Sequence, residues 1–239
     1  MKQIVITQSN YIPWRGWYAM IRSAETLMYL DDVQYTRRDW RNRNLIAGPE
    51  APQWITIPVL VSGKYLAKIH EIECANKTWW KSHLSSLDSA YKRCVGYSQI
   101  RDQLYKEFEE AGELKFLSEI NDHINKWLFS ILDIRVSRLR SRDYTSSSER
   151  SQRLAELCMA SGADHYISGP AAKSYLDESI FNDSNIKVVW VNYEQLPELP
   201  TDIRADRELS IIHLLATAGI EETTRLTTFH STPPKIKKS

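Results

Sequence analysis

Residues 3–30, QIVITQSNYIPWRGWYAMIRSAETLMYL, decide the fold of this chain. An apolar run at residues 4–6 predicts a strand, and apolar residues at helical spacing over residues 16–25 predict a helix. Residues 26–30 form a second predicted strand. A strand, a helix and a strand in this order usually place both strands parallel in one sheet, so the chain begins as an α/β protein.

The rest of the chain continues this alternation around a helical segment. Further strands are predicted over residues 54–59, 68–73, 134–139, 164–169 and 186–191. Helices are predicted within residues 77–133, from about residue 149 with Ser147 or Ser148 as its N-cap, and over residues 170–176 and 210–218. The pattern predicts an α/β fold with a mainly parallel, Rossmann-like sheet and a helical insert of about three helices over residues 77–133. We expect residues 1–227 to form one domain and residues 228–239 to be a disordered tail.

Composition narrows the class of protein. The 239 residues carry 31 Lys and Arg against 30 Asp and Glu, a formal net charge of +1, which argues against a nucleic-acid partner. The three cysteines form no CxxC pair and the six histidines form no metal-binding motif, so we expect reduced thiols and no metal. We find no signal peptide and no segment for membrane insertion, and therefore expect a cytoplasmic protein. The sequence does not identify a cofactor.

Polar and aromatic residues follow the first two predicted strands. The first loop runs from Gln8 to Trp17 as QSNYIPWRGW, and the second strand ends at Asp31 and Asp32. Because ligands of open α/β sheets bind beyond the carboxyl ends of the strands, a site is expected at this edge. Asp31 is our candidate general base, although a carboxylate in this position also suits a turn cap or an ion pair.

An arginine-rich segment, residues 34–44, follows the second strand. It contains four arginines and one aspartate, a local net charge of +3. Arginine forks hold phosphate or carboxylate groups, and the neighbouring aromatic rings offer stacking faces, so the segment suits an anionic ligand such as a nucleotide. A solvated basic turn remains the alternative. The predicted substrate-binding residues of the chain are Gln8, Asn10, Tyr11, Trp14, Gln34, Tyr35, Arg38, Trp40, Arg41, Asn42, Arg43, Ser168 and Gly169.

The segment Ser168-Gly169-Pro170-Ala171-Ala172-Lys173 joins a predicted strand to a predicted helix. A helix that begins with proline presents free N–H groups to an anion. We therefore predict that Lys173 and the backbone at Ser168 and Gly169 stabilise developing negative charge. The alternative is a tight connection with an ordinary surface lysine.

These segments resemble the WbqC-like family of bacterial proteins. The resemblance rests on Gln8 with NYIPW at residues 10–14 and Gly16, on DDVQYTRRDWRNRN at residues 31–44, on WITIPV at residues 54–59 and on YISGPAAKSYL at residues 166–176. Members are often encoded with genes for O-antigen or other surface polysaccharides. The resemblance implies a transferase that moves an acyl or aminoacyl group onto an activated amino sugar.

A second resemblance is architectural. The strand, the loop with WRGW at residues 14–17 and the following helix are similar to the opening of nucleotidylyl transferases, which carry an HxGH signature there. Both histidine positions are tryptophan in this chain. A shared fold implies a nucleotide-binding cleft without adenylyl transfer by those histidines.

Two hypotheses follow. In the first, the chain is a transferase whose anionic substrate is a nucleotide sugar or an acyl donor, with Asp31 and Lys173 in the catalytic roles. In the second, it is a non-catalytic binding module for a nucleotide sugar or a carrier protein. The second is favoured by the absence of a recognisable pair of nucleophile and base.

Overall fold

The computed structural model describes residues 1–147, 149–200 and 209–230. Seven strands occur among them: β1 Gln3–Thr7, β2 Thr26–Tyr29, β3 Arg43–Ile46, β4 Gln53–Thr56, β5 Ser137–Arg140, β6 His165–Ser168 and β7 Lys187–Trp190. Five of these form a parallel sheet in the order β5-β2-β1-β6-β7, and β3 pairs with β4 in a separate antiparallel ribbon.

Seven α-helices accompany the strands: α1 Arg15–Arg22, α2 Trp79–Tyr91, α3 Val95–Gly112, α4 Leu117–Ile131, α5 Arg150–Ala160, α6 Glu178–Asp183 and α7 Ile211–Leu226. Helices α2, α3 and α4 lie between β4 and β5 in the chain and form the insert. The predicted fold class, a parallel Rossmann-like sheet with an insert of three helices, is therefore confirmed. Among the helices described, none is long and apolar enough to cross a membrane.

The direction in which successive strands are added to the sheet reverses between β1 and β6. The chain runs outward from β1 to β2 and β5, and then returns to the other side of β1 to form β6 and β7. Such a switch point opens a crevice beyond the carboxyl ends of the two central strands, where α/β proteins bind their ligands. The loop after β1 and the start of α1 lie at this point.

Alternate residues of the central strands pack into two different cores. Val5 is in register with Leu27 on β2 and Ile167 on β6, and all three belong to the larger core with α1, the insert and α7. Ile4 and Ile6 lie on the opposite face, in a smaller core with residues of α5 and α6. Both faces of the sheet are covered, as a parallel sheet requires.

The predicted strand over residues 68–73 is wrong. Lys68 forms one isolated bridge with Gln34, and Ile69–Glu71 form a 3₁₀ turn. Ile69 and Ile72 are both fully buried, which is a spacing of three that suits a helical turn better than a strand. The Lys68 N–H also donates to the Glu71 carboxylate at 2.8 Å, which closes the turn.

Other element boundaries differ from the prediction. The N-cap of α5 is Glu149, whose carboxylate accepts from Gln152 N at 2.7 Å, whereas Ser148 lies outside the described residues. The segment predicted as a helix over residues 170–176 is a 3₁₀ turn over Pro170–Ser174. Helix α7 extends eight residues beyond its predicted end at residue 218, across a kink at Gly219, where φ is 80°. Strand β3 was not predicted, because polar Asn44 occupies one of its two buried positions.

The beginning of the predicted tail is attached to the fold. Phe229 packs against the larger core, and His230 N donates to the carbonyl oxygen of Gln195 at 3.2 Å. Residues 231–239, which carry the rest of that prediction, lie outside the described residues.

Asn125 joins the helical insert to the first loop. Its side chain is fully buried, accepts from the Tyr18 hydroxyl at 2.6 Å and donates to the Asn10 carbonyl oxygen at 2.9 Å. The insert therefore fixes the backbone of the loop that begins the candidate site.

We expect Asn125→Ala to lower the free energy of unfolding by about 2 to 4 kcal/mol, because it leaves two buried polar groups without partners. Urea unfolding followed by circular dichroism measures this loss. Lys126→Ala, at the exposed neighbouring position on α4, is the matched control and should change stability little. Equal effects of the two substitutions would contradict the role of Asn125.

Candidate functional site

The first loop and the arginine-rich segment lie against each other. Tyr11 N donates to the Trp40 carbonyl oxygen at 3.0 Å, and the Asn44 side chain donates to the carbonyl oxygens of Tyr11 and Ile12, both at 3.0 Å. Arg41 donates to the Asn10 side chain. The bonds to Asn44 hold Ile12 at a φ of 37°, a conformation that a β-branched residue adopts only under constraint.

A cleft of about 720 Å³ opens at the switch point, and we call it the switch-point cleft. Two sequence segments with predicted site residues form one wall, and the segment after β7 forms the other. The described residues that line it are Asn10, Pro13, Trp14, Arg15, Trp40, Asn44, Tyr193, Glu194, Leu196, Pro197, Glu198 and Leu199. The second wall, from Tyr193 onward, was missed because no motif marks it in the sequence.

Trp14 owes its position to a glycine. A Cβ atom at Gly16 would lie 2.2 Å from the nearest atom of the Trp14 ring, so the indole occupies space that only glycine leaves free. The other edge of the ring packs on Tyr193, with the ring centroids 5.0 Å apart. Trp17, the other tryptophan of WRGW, is buried and stacks on Phe129 in the core. Of the two tryptophans that occupy the histidine positions of HxGH, only Trp14 therefore lines the cleft.

The arginine-rich segment uses three of its four arginines to build its own structure. Arg41 is mostly buried, and burial lowers its pKa although the charges of Asp39 and Asp31 oppose this. Arg43 stacks on Trp54, 4.0 Å from the ring centroid, and donates to the Arg38 carbonyl oxygen. Arg37 donates to the Val61 carbonyl oxygen at 2.9 Å. The predicted cationic surface is thus partly a scaffold, with Arg37 and Arg38 both exposed and Arg38 at a φ of 59°.

Several predicted substrate-binding residues serve the fold instead. Tyr11 is fully buried, and its hydroxyl is 2.7 Å from Nδ1 of His83. Asn42 is buried and donates to the Ile57 carbonyl oxygen at 2.9 Å, and Tyr35 is buried in the larger core. Tyr11, Tyr35 and Asn42 thus support the loops, and none of the three is among the residues that line the switch-point cleft.

Gln8 and Gln34 stand outside the cleft lining. Gln34 is exposed and donates to the Tyr65 carbonyl oxygen at 2.9 Å, which ties the arginine-rich segment to the loop after β4. Gln8 is half-buried directly after β1.

The Ser168-Gly169 junction, where β6 ends, does not line the cleft but packs against Tyr193, which does. A Cβ atom at Gly169 would lie 3.3 Å from the Tyr193 hydroxyl, and burial raises the pKa of Tyr193 to about 12. Ser168 is buried, and its hydroxyl is 3.4 Å from that of Tyr166. The junction thus supports the tyrosine that lines the cleft.

Lys173 lies apart from the other predicted site residues. It is exposed, its ammonium group is 5.5 Å from the centroid of the Trp190 ring, and it does not line the switch-point cleft. The segment that carries it is a 3₁₀ turn of five residues, so the predicted α-helix N-terminus for an anion is not formed.

A second, smaller depression lies beyond the ends of β2 and β5, and we call it the acidic pocket. The described residues that line it are Tyr29, Asp31, Asp32, His70, Ser118, Asp122, Arg140, Ser141 and Arg142. Burial raises the pKa of Asp31, although a hydrogen bond from Ser9 N at 2.8 Å acts in the opposite direction. Burial also opposes ionisation of Asp32, but hydrogen bonds from Ser141 and Arg153 outweigh it and lower the pKa of that carboxyl.

His70 is a site residue that the sequence did not reveal. Its backbone N–H and its Nδ1 both lie within hydrogen-bond distance of the Asp31 carbonyl oxygen, at 2.9 and 2.8 Å. Since a carbonyl oxygen only accepts, Nδ1 carries a proton and donates to it. His70 was missed because its position depends on the 3₁₀ turn that replaced the predicted strand.

One trio of residues could hold a metal ion. The ligand atoms of Glu107, Glu110 and His123 lie within 4.8 Å of one another, between α3 and α4, and the trio is the only such group among the described residues. His123 Nε2 is 2.9 Å from the Glu107 carboxylate, so the group also joins the two helices directly.

Asp31→Asn is expected to alter stability in a pH-dependent way. The pKa of Asp31 is higher in the folded chain than in the unfolded chain, so the folded chain binds the proton of this carboxyl group more tightly. As the pH rises from the unfolded-state pKa through the folded-state pKa, ionisation of Asp31 therefore lowers the free energy of unfolding. Urea unfolding at about pH 4 and about pH 7 measures this effect. The free energy of unfolding of the variant, relative to that of the natural chain, should be higher at about pH 7 than at about pH 4. Asp32→Asn is the control of opposite sign, since the pKa of Asp32 is lowered. The same trend in both variants would contradict this account.

Comparison with known proteins agrees with the resemblance found in the sequence. The chain is similar to the uncharacterized protein Rv1507c of Mycobacterium tuberculosis (strain ATCC 25618 / H37Rv), with 39% identity over 194 residues that cover 81% of this chain and 84% of that protein. No solved structure matches the chain. The family model of the WbqC-like proteins matches residues 8–225, a range that includes both walls of the switch-point cleft and the acidic pocket. The chain belongs to the WbqC-like protein family.

Proposed function

We propose that this chain is a cytoplasmic transferase of bacterial surface-polysaccharide or related biosynthesis, which binds an activated sugar in the switch-point cleft. The observation that carries the proposal is the lining of that cleft. Trp14, Trp40 and Tyr193 supply flat aromatic faces, and the side-chain amide of Asn10 lies beside them. Rings for the apolar face of a sugar and an amide for its hydroxyl groups are the chemistry that such a ligand needs.

Size and position support the same ligand class. A cleft of about 720 Å³ lies within the range of small-molecule sites, about 300 to 1,000 Å³. Arg15, the first residue of α1, lines the cleft, and a phosphate group would meet both its charge and the helix N-terminus. The two carboxylates of Glu194 and Glu198 outnumber this one cation, so the rest of the lining favours a ligand rich in hydroxyl groups.

The proposed chemistry is the transfer of an acyl or aminoacyl group to an amine. The amine nitrogen loses a proton and attacks the acyl carbonyl carbon, a C–N bond forms, and the bond to the donor breaks with its electron pair leaving on the donor. Asp31 is suited to the proton transfer because its pKa is raised toward the working range of a general base. The segment Ser9-Asn10 links both places, since Ser9 N binds Asp31 and Asn10 lines the cleft.

A non-catalytic binding module for a nucleotide sugar or a carrier protein is the second candidate. The described residues that line the switch-point cleft include no serine, threonine, cysteine, histidine or lysine. The serine, threonine, cysteine, histidine and lysine side chains that usually act in covalent acyl transfer are therefore missing from that part of the lining, whose carboxylates are those of Glu194 and Glu198. This observation favours binding without turnover.

Trp14→Leu should weaken the binding of a nucleoside diphosphate sugar by about tenfold, because it removes one stacking face from the cleft. A thermal-shift panel of nucleoside diphosphate sugars and acyl-coenzyme A donors measures this as a smaller rise in melting temperature. Trp80→Leu, a half-buried tryptophan of the insert, is the matched control and should keep the full shift. Equal shifts in both variants would place the ligand elsewhere.

Asp31→Asn separates the two candidate functions. If the chain is a transferase, the variant should retain the thermal shift with the nucleoside diphosphate sugar but consume the acyl donor at least about a hundredfold more slowly, which is the usual contribution of general base catalysis. Mass spectrometry of the donor before and after incubation measures consumption. Binding by the natural chain without any consumption, across the same panel with amine acceptors present, would support the binding module instead.

A further inference from the structure

We propose that the chain docks on an anionic lipid surface through two neighbouring segments, residues 34–43 and 54–68, which we call the basic flank. The flank presents exposed apolar side chains among exposed cations. The inference goes beyond the proposed function, because it concerns the surface on which the chain works and does not depend on catalysis in the switch-point cleft.

Contacts along the two segments place them side by side. Three side chains of the first segment contact the second segment in reverse chain order: Arg43 stacks on Trp54, Arg37 donates to the Val61 carbonyl oxygen, and Gln34 donates to the Tyr65 carbonyl oxygen. The two segments therefore run in opposite directions beside each other, and the cations of one lie along the apolar side chains of the other.

The basic flank concentrates positive charge. Its two segments contain four arginines, two lysines and one aspartate, a net charge of +5, whereas the whole chain has a net charge of +1. Four of these cations are exposed: Arg37, Arg38, Lys64 and Lys68. An anionic surface is complementary to this charge, whereas the flanks of two copies of the chain would repel each other.

Two carboxylates from outside the flank lie close to its lysines. Glu73 is 3.5 Å from Lys64, but it is also 3.6 Å from Lys115, so a cation outside the flank shares its charge. The Glu71 carboxylate accepts from the Lys68 N–H at 2.8 Å. Counting both carboxylates with the flank still leaves a net charge of +3.

The second segment exposes apolar side chains beside these cations. Of the eight large apolar side chains that the described part of the chain leaves exposed, four lie in this segment: Trp54, Leu60, Tyr65 and Leu66. Tyr65 and Leu66 are neighbours in the chain and are 79% and 77% exposed. Apolar side chains that cluster in this way on a surface mark an interaction site.

The shape of the second segment favours a lipid surface over a protein. Lys64 N donates to the Val61 carbonyl oxygen and Ala67 N donates to the Lys64 carbonyl oxygen, both at 3.2 Å, so two tight turns form the loop that carries Tyr65 and Leu66. A lipid interface accepts two projecting side chains without a preformed pocket. Tyrosine suits the level of the headgroups, and flanking lysines attract anionic headgroups.

Docking through the flank also affects the switch-point cleft. Trp40 belongs to the basic flank and lines that cleft. The opening of the cleft would therefore lie close to the lipid surface when the flank is bound.

The test is sedimentation of the full chain with vesicles. Vesicles of equimolar phosphatidylglycerol and phosphatidylcholine are the anionic probe, and vesicles of phosphatidylcholine alone are the neutral one. We expect the natural chain to sediment with the anionic vesicles, less so as salt is added, and to stay in the supernatant with the neutral vesicles. Equal binding to both kinds of vesicle would overturn the proposal.

Leu66→Ser should weaken binding to the anionic vesicles by at least about tenfold, because it removes an apolar anchor. Val95→Ser is the matched control and should change nothing, since Val95 is 81% exposed but begins α3 outside the flank. Lys68→Gln should weaken binding by about fivefold, and Lys92→Gln, at an exposed position directly after α2, should leave it unchanged. Melting temperatures equal to that of the natural chain show that the variants are folded.

No sedimentation with anionic vesicles, or equal effects of Leu66→Ser and Val95→Ser, would overturn the proposal. An acidic protein as the partner would give a different pattern. The natural chain would then be retained on immobilised polyglutamate, less so after Lys68→Gln, and would not bind the vesicles. That pattern would also overturn the lipid surface as the partner of the basic flank.

Discussion

Buried backbone carbonyl groups have to find donors away from water, and four asparagine amides meet this constraint in the loops of the candidate site. Asn125 and Asn121 donate to the carbonyl oxygens of Asn10 and Arg41, both at 2.9 Å. Asn44 serves the next two carbonyl groups of the first loop, and Asn42 serves Ile57. Without these bonds, neither irregular segment would have a fixed path over the sheet edge.

This dependence explains why the helical insert belongs to the site although it lies on one flank of the sheet. Asn121 and Asn125 are one turn apart on α4 and project toward the first loop and the arginine-rich segment. The same helix brings Ser118 and Asp122 to the acidic pocket. A single helix therefore contacts two loops and one wall of a pocket, so its position determines part of both candidate ligand sites.

The architecture could be predicted from the sequence because the spacing of apolar residues shows which segments are strands or helices and which of their faces are buried. The alternation of Ile4 and Ile6 with Val5 assigns β1 to a sheet that is buried on both faces, and the structure divides these residues between two cores as that pattern requires. Residues of both segments that were expected to form the site line the switch-point cleft. The sequence did not show which polar side chains would face outward.

That choice depends on partners that are distant in the chain. Arg41 donates to Asn10, and the Tyr11 hydroxyl lies within hydrogen-bond distance of His83. Side chains that look like ligand contacts in the sequence therefore make hydrogen bonds within the fold. His70 shows the reverse case, because an unremarkable histidine becomes prominent once a 3₁₀ turn places it against Asp31. Tyr193 and the wall that follows it carry no sequence motif, and only the order of the strands brings them beside Trp14.

The contact between Gly16 and the Trp14 ring has a consequence for how this cleft can change over evolution. Glycine in a helix is less favourable than alanine by about 1 kcal/mol, and here it lies in the first turn of α1. Alanine at this position would favour the helix but collide with the indole, whose nearest atom is 2.2 Å from the added carbon. Stability and cleft shape thus favour different residues at position 16, and a single methyl group there would redirect the indole and remodel the wall opposite Tyr193.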